Sequence, residues 1–129
     1  MRLKGRVIAR GTASGEILLS SEPISFLGGV DAKSGKVIEK GHPLFGKSIA
    51  GKVLVFPRGK GSTVGTYVIY QLKKNGVAPS AIINEEAEII VAVGAIISEI
   101  PMLDKLEGYE RLKTGMTVFV NADEGYAEV

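Results

Sequence analysis

The sequence predicts a single α/β domain in which a mixed sheet is extended by an added β layer. Its 129 residues fit one domain with a modest core. Between residues 51 and 98 the apolar pattern runs strand, loop, helix, strand, helix, and this order requires at least one parallel crossover. Strand-like runs at both ends add further β structure. No repeat or linker interrupts residues 1–129, so we expect one domain throughout.

Both ends of the chain are predicted to form antiparallel strands. Residues 5–10 and 15–20 are strand-like, and Gly11 with Ser14–Gly15 supplies a turn typical of a hairpin. Residues 116–121 are predicted to form a strand, followed by a short final strand.

Two long segments are predicted to be mainly loop. Residues 22–51 are rich in Gly, Pro and Ser, with one plausible short strand at "GKVIE" (35–39). Residues 100–115 show no sustained periodicity and are also predicted to be loop.

The central strands and helices carry the strongest signals. "GKVLVFP" (51–57) is apolar without alternation, so we expect a strand buried on both faces, and "PSAIIN" (79–84) resembles it. Residues 64–76 have the spacing of a helix that ends at Asn75–Gly76. Residues 85–99 fit a helix by spacing and a strand by their β-branched content. A helix with acidic residues at its start is preferred.

Composition excludes several classes of function. A net charge of +2, from 16 basic and 14 acidic residues, is too balanced to indicate a nucleic-acid binder. The chain has no tryptophan and little aromatic content, which argues against stacking on bases. Without cysteine, it supplies no disulfide and no thiolate ligand for zinc or an iron–sulfur cluster. No signal sequence or membrane-length apolar stretch is evident, so we expect a cytoplasmic protein with no membrane partner.

The stretch "PRGKGSTVGT" (57–66) is the main candidate site. It joins a buried strand to a helix, where free N–H groups and the helix dipole favour an anion. Its glycines allow a ligand to approach the backbone, and Arg58 and Lys60 add positive charge. The stretch fits neither a Walker P-loop, nor G-x-G-x-x-G, nor G-x-S-x-G. By these patterns Ser62 is either a helix cap or a working residue.

Other polar residues have two interpretations each. His42, the only histidine, is either a phosphocarrier or base, or a hydrogen-bonding residue of a turn. Asp31 follows a Gly pair and either orients a ligand or caps a turn. Glu85 and Glu86 form a carboxylate pair that most simply marks the start of a helix.

The whole chain resembles the small subunits of the aconitase X family. The resemblance rests on "LGGVD", "GHPLFGKSIAGKVLVFPRGKGSTVGTYVIYQL", "AIIN" and the later "GAII…IP", in that order. It implies a swivelling β/β/α domain like the C-terminal domain of aconitase. It also implies a cysteine-containing large subunit that holds a [4Fe–4S] cluster, so that this chain itself binds no metal.

The resemblance further implies a reaction and the residues that perform it. In the archaeal branch, (R)-5-phosphomevalonate loses water to give trans-anhydromevalonate 5-phosphate, with the cluster iron as Lewis acid. Ser62 matches the family's base, which leaves Thr63 to cap the helix. The expected contacts to this small anionic substrate are Arg58, Lys60, Gly61, Thr63, Gly28, Gly29 and Asp31.

Two other functions remain open at this stage. The hydroxyproline dehydratases of the same family have a shorter, cysteine-containing turn and no counterpart of Lys60. Lys60 is therefore hypothesised, with Arg58, to favour a phosphorylated substrate. The second alternative is a non-catalytic swivelling carrier or binding domain that works through His42.

Overall fold

The computed structural model describes all residues, 1–129, and builds them around one eight-stranded sheet. The strand order is β1-β8-β7-β3-β4-β5-β6-β2. The strands are β1 (Arg2–Lys4), β2 (Arg6–Ala9), β3 (Thr12–Leu19), β4 (Val53–Phe56), β5 (Ala81–Asn84), β6 (Met102–Asp104), β7 (Thr117–Asn121) and β8 (Tyr126–Glu128). The helices are the short, kinked α1 (Phe26–Gly29), α2 (Gly65–Lys74) and α3 (Ile89–Ile97), with a 3-10 turn at Tyr109–Arg111.

Four parallel strands form the centre of the sheet. β3 pairs with β4, β4 with β5, and β5 with β6, all in parallel. Helices α2 and α3 make the crossovers from β4 to β5 and from β5 to β6, so the predicted parallel crossover is confirmed. Every residue of β4 and β5 is buried, as expected from their apolar sequences.

The two faces of β4 pack against different layers. Leu54 and Phe56 lie in the core cluster that α2 and α3 cover. Val53 and Val55 lie in a second cluster, together with residues of the antiparallel strands β7, β8 and β1. The predicted added β layer is therefore present, as the antiparallel half of the sheet closing over one face.

The predicted N-terminal hairpin is wrong. β2 pairs with β6, and β3 pairs with β7, so the two strands do not pair with each other. Ser14 and Gly15 lie inside β3. A side chain at Gly15 would come within 3.1 Å of Ser80 Oγ and 3.3 Å of the Gly51 carbonyl, so this glycine serves a close approach and not a turn.

The other differences between the predicted and the observed elements involve short strands. β1 and β6 have three residues each and were not predicted, because so few residues carry no readable alternation. The "GKVIE" segment forms only isolated bridges, from Val37 to Val30 and from Lys36 to Ser48.

Helix α3 confirms the preferred assignment for residues 85–99, with a different start. Glu88 is the N-cap, and its carboxylate accepts hydrogen bonds from the N–H groups of Ile90 at 2.9 Å and Val91 at 2.8 Å. Glu85 and Glu86, the acidic pair expected at the helix start, precede it in a bend.

One ion pair, between a half-exposed arginine and a buried aspartate, joins β2 to β6. The Asp104 side chain is fully buried and accepts hydrogen bonds from Arg6 Nε at 2.9 Å and Nη2 at 2.7 Å. Its Oδ2 also accepts from the Ala87 N–H at 2.8 Å. Burial acts to raise the pKa of the Asp104 carboxyl, but the bonds from Arg6 and Ala87 outweigh it and hold that pKa below its usual value.

We predict that Asp104→Asn lowers the free energy of unfolding by about 1–3 kcal/mol, because Arg6 loses its acceptor. Since the folded-state pKa of Asp104 is depressed, its contribution is complete above the unfolded pKa and is lost as pH falls through the folded one. The variant should therefore lose part of the acid sensitivity below the ordinary value of 3.8. Urea unfolding as a function of pH measures both effects. Glu16→Gln, in an exposed pair with Lys52, is the control and should change little.

Candidate functional site

The start of the loop between β4 and α2 is held by hydrogen bonds from the end of β5. Asn84 Nδ2 donates to the Phe56 carbonyl at 3.0 Å. The N–H groups of Glu85 and Glu86 both donate to the Pro57 carbonyl, at 3.0 and 3.2 Å. The end of β5 thus fixes the direction in which the chain leaves β4.

A second strand-like contact holds the next part of the loop. The Ile24 N–H donates to the Arg58 carbonyl at 3.2 Å, and the Lys60 N–H donates to the Ile24 carbonyl at 3.0 Å. Gly59 forms a parallel bridge with Ile24 in consequence. The loop is therefore supported by the segment before α1 as well as by β5.

Two glycines allow close packing on either side of this support. A side chain at Gly59 would overlap the Glu88 carboxylate that caps α3 and would come within 2.5 Å of Val91 Cγ2. Gly61 has φ +93°, and a Cβ there would lie 2.5 Å from Ser25 Oγ. The glycine pattern read from the sequence thus reflects both steric need and backbone conformation.

Ser62 is exposed at the point where the chain turns into α2. Its Oγ accepts a hydrogen bond from the Val64 N–H at 3.1 Å, and its carbonyl accepts from the Gly65 N–H at 2.9 Å. The expectation that Thr63 would cap the helix is wrong, since the N-cap position is Val64 and no side chain makes a cap hydrogen bond there. Ser62 Oγ instead accepts from the N–H of Val64 itself, two positions on, which is a common serine turn leading into the helix.

The same turn contains three successive backbone N–H groups that are free. Those of Gly61, Ser62 and Thr63 donate to no acceptor within the protein. Consecutive free N–H groups in a turn form a concavity that suits an anion, and the start of α2 adds its dipole. The loop has the features of an anion site independent of any side-chain charge.

The two cations of the loop differ in their surroundings. Arg58 is exposed and forms no ion pair. Lys60 Nζ lies 3.4 Å from Glu39 Oε2, with both side chains partly exposed. The positive charge of Lys60 is therefore partly neutralised by the chain's own carboxylate.

Glu39 also connects the loop to the predicted glycine pair. Its Oε1 lies 3.4 Å from where a Cβ of Gly29 would be, and the Ile38 N–H donates to the Gly29 carbonyl at 2.8 Å. Gly28 is exposed with φ +82°. The structure thus places Gly29 and Lys60 on either side of Glu39.

Asp31 lies near the end of α2 that is opposite to Ser62. Its carboxylate accepts from Ser34 Oγ at 2.7 Å and from the Lys33 N–H, and these bonds lower its pKa. The next residue, Ala32, receives a hydrogen bond from Asn75 at the C-terminal end of α2. Ser62 precedes the other end of this 10-residue helix, which is about 15 Å long. The bonds of Asp31 fit the turn-capping interpretation, and its expected contact with the substrate stays a prediction.

His42 is buried, and both ring nitrogens have partners. Nδ1 accepts from the Leu44 N–H at 3.0 Å, and Nε2 lies 3.1 Å from the Pro23 carbonyl. These partners require the proton on Nε2. The hydrogen-bonding interpretation of His42 is confirmed, and neither nitrogen is available to carry a phosphoryl group.

The chain offers no set of ligands for a metal. No three His, Cys, Asp or Glu side chains lie close enough together to hold an ion, and cysteine is absent. No helix has the length and apolar character needed to cross a membrane. The cytoplasmic location stays a prediction.

Comparison with known proteins gives a consistent result over the whole chain. The sequence model described as the aconitase X swivel domain matches residues 2–129. Proteins named phosphomevalonate dehydratase small subunit are 68% identical in Methanosarcina acetivorans and 60% identical in Thermococcus kodakarensis. Both alignments cover 100% of this chain, and they cover 91% and 96% of the respective relatives.

Solved structures agree with these sequence similarities. The holo-form crystal structure of Thermococcus kodakaraensis aconitase X matches with a TM-score of 0.96 and 60% identity, covering 99% of this chain and 97% of that one. A solution NMR structure of a UPF0107 protein matches with a TM-score of 0.90 and 52% identity, covering 100% and 98%. The predicted swivelling α/β fold is confirmed.

Three residues of the site were missed in the sequence. Glu39 and Asn84 act through contacts that only the folded loop paths create, and no local motif marks them. Glu88 was missed because the favoured N-cap residues are Ser, Thr, Asp and Asn, and an acidic residue near a helix start marks only that end of the helix in general.

We predict that Gly59→Ala destabilises the protein by about 1–3 kcal/mol, because the new Cβ must displace Glu88 from the start of α3 or move the loop. Gly29→Ala is the matched control: it is also buried and has no positive φ, but its nearest neighbour would lie at an ordinary 3.4 Å. Denaturant unfolding of both variants gives the comparison. Equal losses would contradict the proposed contact between the loop and α3.

Proposed function

Because the chain belongs to the aconitase X swivel-domain family, we propose that it is the small subunit of a phosphomevalonate dehydratase. This enzyme is a hydro-lyase that removes water from (R)-5-phosphomevalonate to give trans-anhydromevalonate 5-phosphate. Full-length similarity to small subunits of that name supports the assignment. The structural observation that carries it is the Ser62 hydroxyl, exposed among three unpaired N–H groups.

We assign to Ser62 the removal of the proton from the carbon beside the substrate carboxylate. A serine oxygen becomes a competent base only where its anion is stabilised. The Val64 N–H already donates to Ser62 Oγ, and the start of α2 places positive potential there. This turn bond therefore supports the proposed role, since it favours the alkoxide and leaves further lone pairs free for the substrate's proton.

The anionic groups of the substrate are assigned to the rest of the loop. The free N–H groups of Gly61 and Thr63 face no protein acceptor and suit a carboxylate or phosphate. Arg58 is unpaired and available for a bidentate contact, while Lys60 provides a point charge. The Gly28–Gly29 backbone lies beyond Glu39 and is assigned to the edge of the same substrate site.

The cofactor and the larger subunit follow from the same proposal. An aconitase-type dehydratase uses an iron–sulfur cluster, which supplies Lewis-acid chemistry when it is bound. This chain's residues do not fit such a group, because it has no cysteine and no cluster of three ligating side chains. We therefore assign the [4Fe–4S] cluster to cysteines of the larger subunit implied by the relatives' names.

We predict that Ser62→Ala lowers kcat of the assembled enzyme by about 10²–10⁴-fold, the range for loss of a general base, and leaves subunit association unchanged. Steady-state kinetics under anaerobic conditions, with native mass spectrometry of the complex, tests this. Ser21→Ala, another exposed serine, is the control and should keep full activity. Full activity in the Ser62 variant would remove Ser62 from the base role.

We predict that Lys60→Ala raises KM for phosphomevalonate by about 10–100-fold, as expected for loss of a charged hydrogen bond, with a smaller effect on mevalonate. Glu39→Gln should lower KM for phosphomevalonate, since the substrate no longer competes with the carboxylate 3.4 Å from Lys60 Nζ. KM values for both substrates with each variant provide the measurement. Equal losses on the two substrates would mean that Lys60 does not recognise the phosphate.

A further inference from the structure

Helix α3 has the composition of a helix surrounded by protein on all sides. Its nine residues, "IIVAVGAII", include no polar side chain. In a soluble protein, a helix that is apolar all round is normally buried all round. Here only Val91, Gly94 and Ala95 are buried, so most of the helix faces outward without a partner.

The exposed part of α3 joins apolar residues of α2 to form one surface. We call it the α2–α3 apolar face: Val64, Tyr67, Ile89, Val93, Ile96 and Ile97. Ile89 is 74% exposed and Tyr67 66% exposed. Single exposed apolar residues are ordinary, but a contiguous group without charge is typical of an interaction site.

The two helices hold this face in a fixed shape. A side chain at Gly94 would lie 2.7 Å from Ile69 Cδ1, so the helices approach closely at that point. Thr66 Oγ1 donates to the Ile90 carbonyl at 2.8 Å and joins the start of α2 to the start of α3. The face is therefore preformed, and a partner that covers it has little ordering to supply.

A groove of about 390 Å³ lies within the face, between residues 63–67 and residues 89–93. It begins at Thr63 and Val64, directly after Ser62 in the chain. Any protein that fills this groove brings its own surface beside the exposed Ser62 hydroxyl. The groove and the proposed catalytic loop are thus parts of one continuous surface.

We propose that the α2–α3 apolar face is the docking surface for the larger subunit, with Tyr67 and Val93 at its centre. The inference rests on the proposed function, which requires a second subunit to complete the site at Ser62. The groove between residues 63–67 and residues 89–93 is lined by no charged side chain, so this part of the face fits an apolar, uncharged surface of the partner, as in obligate complexes. Pairing with a second copy would instead cover the groove and bring no cluster to Ser62.

The test measures binding of the cognate, anaerobically purified large subunit to Tyr67→Glu, Val93→Glu and the double variant. Both positions are exposed, so the variants should keep the fold, which circular dichroism checks. Phe119→Glu is the matched control, because Phe119 lies on β7 and is 37% exposed, against 38% for Val93. We expect Kd to rise at least 30-fold for the double variant and less than twofold for the control.

Three other outcomes of this binding test would overturn the inference. Unchanged affinity of the double variant places the large subunit elsewhere. A homodimer of the free chain that Val93→Glu dissociates, with large-subunit binding intact, identifies a second copy as the occupant. Binding of the free chain to neutral lipid vesicles, abolished by the same variant with the complex unaffected, identifies a membrane surface.

Activity separates this inference from the proposed function. If the wild-type complex forms through the face but does not dehydrate phosphomevalonate, the interface stands and the substrate assignment fails. If the wild-type complex is active and the double variant still assembles with normal affinity, the function stands and the interface fails.

Discussion

Two backbone N–H groups, those of Glu85 and Glu86, converge on the carbonyl of Pro57, and the side chain of Asn84 holds the preceding carbonyl. Carbonyls at the ends of parallel strands lose their sheet partners and need others. Here the end of β5 supplies them, so the loop leaves β4 in one direction. This constraint places the loop against Ile24 on one side and against the cap of α3 on the other. The position of Ser62 depends on this bonding, because the bonds within the loop itself, from Val64 and Gly65 to Ser62, fix only the local turn.

The Ser62 hydroxyl combines an observed turn bond with the proposed role as a base. A hydroxyl oxygen in a serine turn accepts an N–H, and an oxygen that is to become anionic needs such donors. The bond from Val64 meets both requirements, because it fixes the turn before α2 and would stabilise the proposed anion. The free N–H groups on either side would extend the same electrostatic environment to the proposed substrate.

The sequence predicted those parts of the fold in which local pattern and tertiary contact agree. Strand β4, helix α2 and strand β5 have long, consistent apolar signals, and they appear where expected. Three-residue strands such as β6 exist only because a neighbour pairs with them, and pairing at a sequence distance of 98 residues, as for Arg6 and Asp104, leaves no local trace. The serine loop was also predicted, because its glycines, its two cations and its serine stand together in one short stretch of sequence. Glu39 was not, because its contact with Lys60 depends on the path of an irregular loop.

A helix without a single polar side chain also has a consequence for how the protein is made. Until α3 is covered, the free chain presents an apolar surface that favours association with the wrong neighbours. Production of this chain in excess of its partner would therefore yield unpaired copies prone to aggregation. Balanced synthesis of the two polypeptides, and early encounter between them, become requirements of the fold itself. The apolar composition of α3 thus favours production of the two chains in similar amounts.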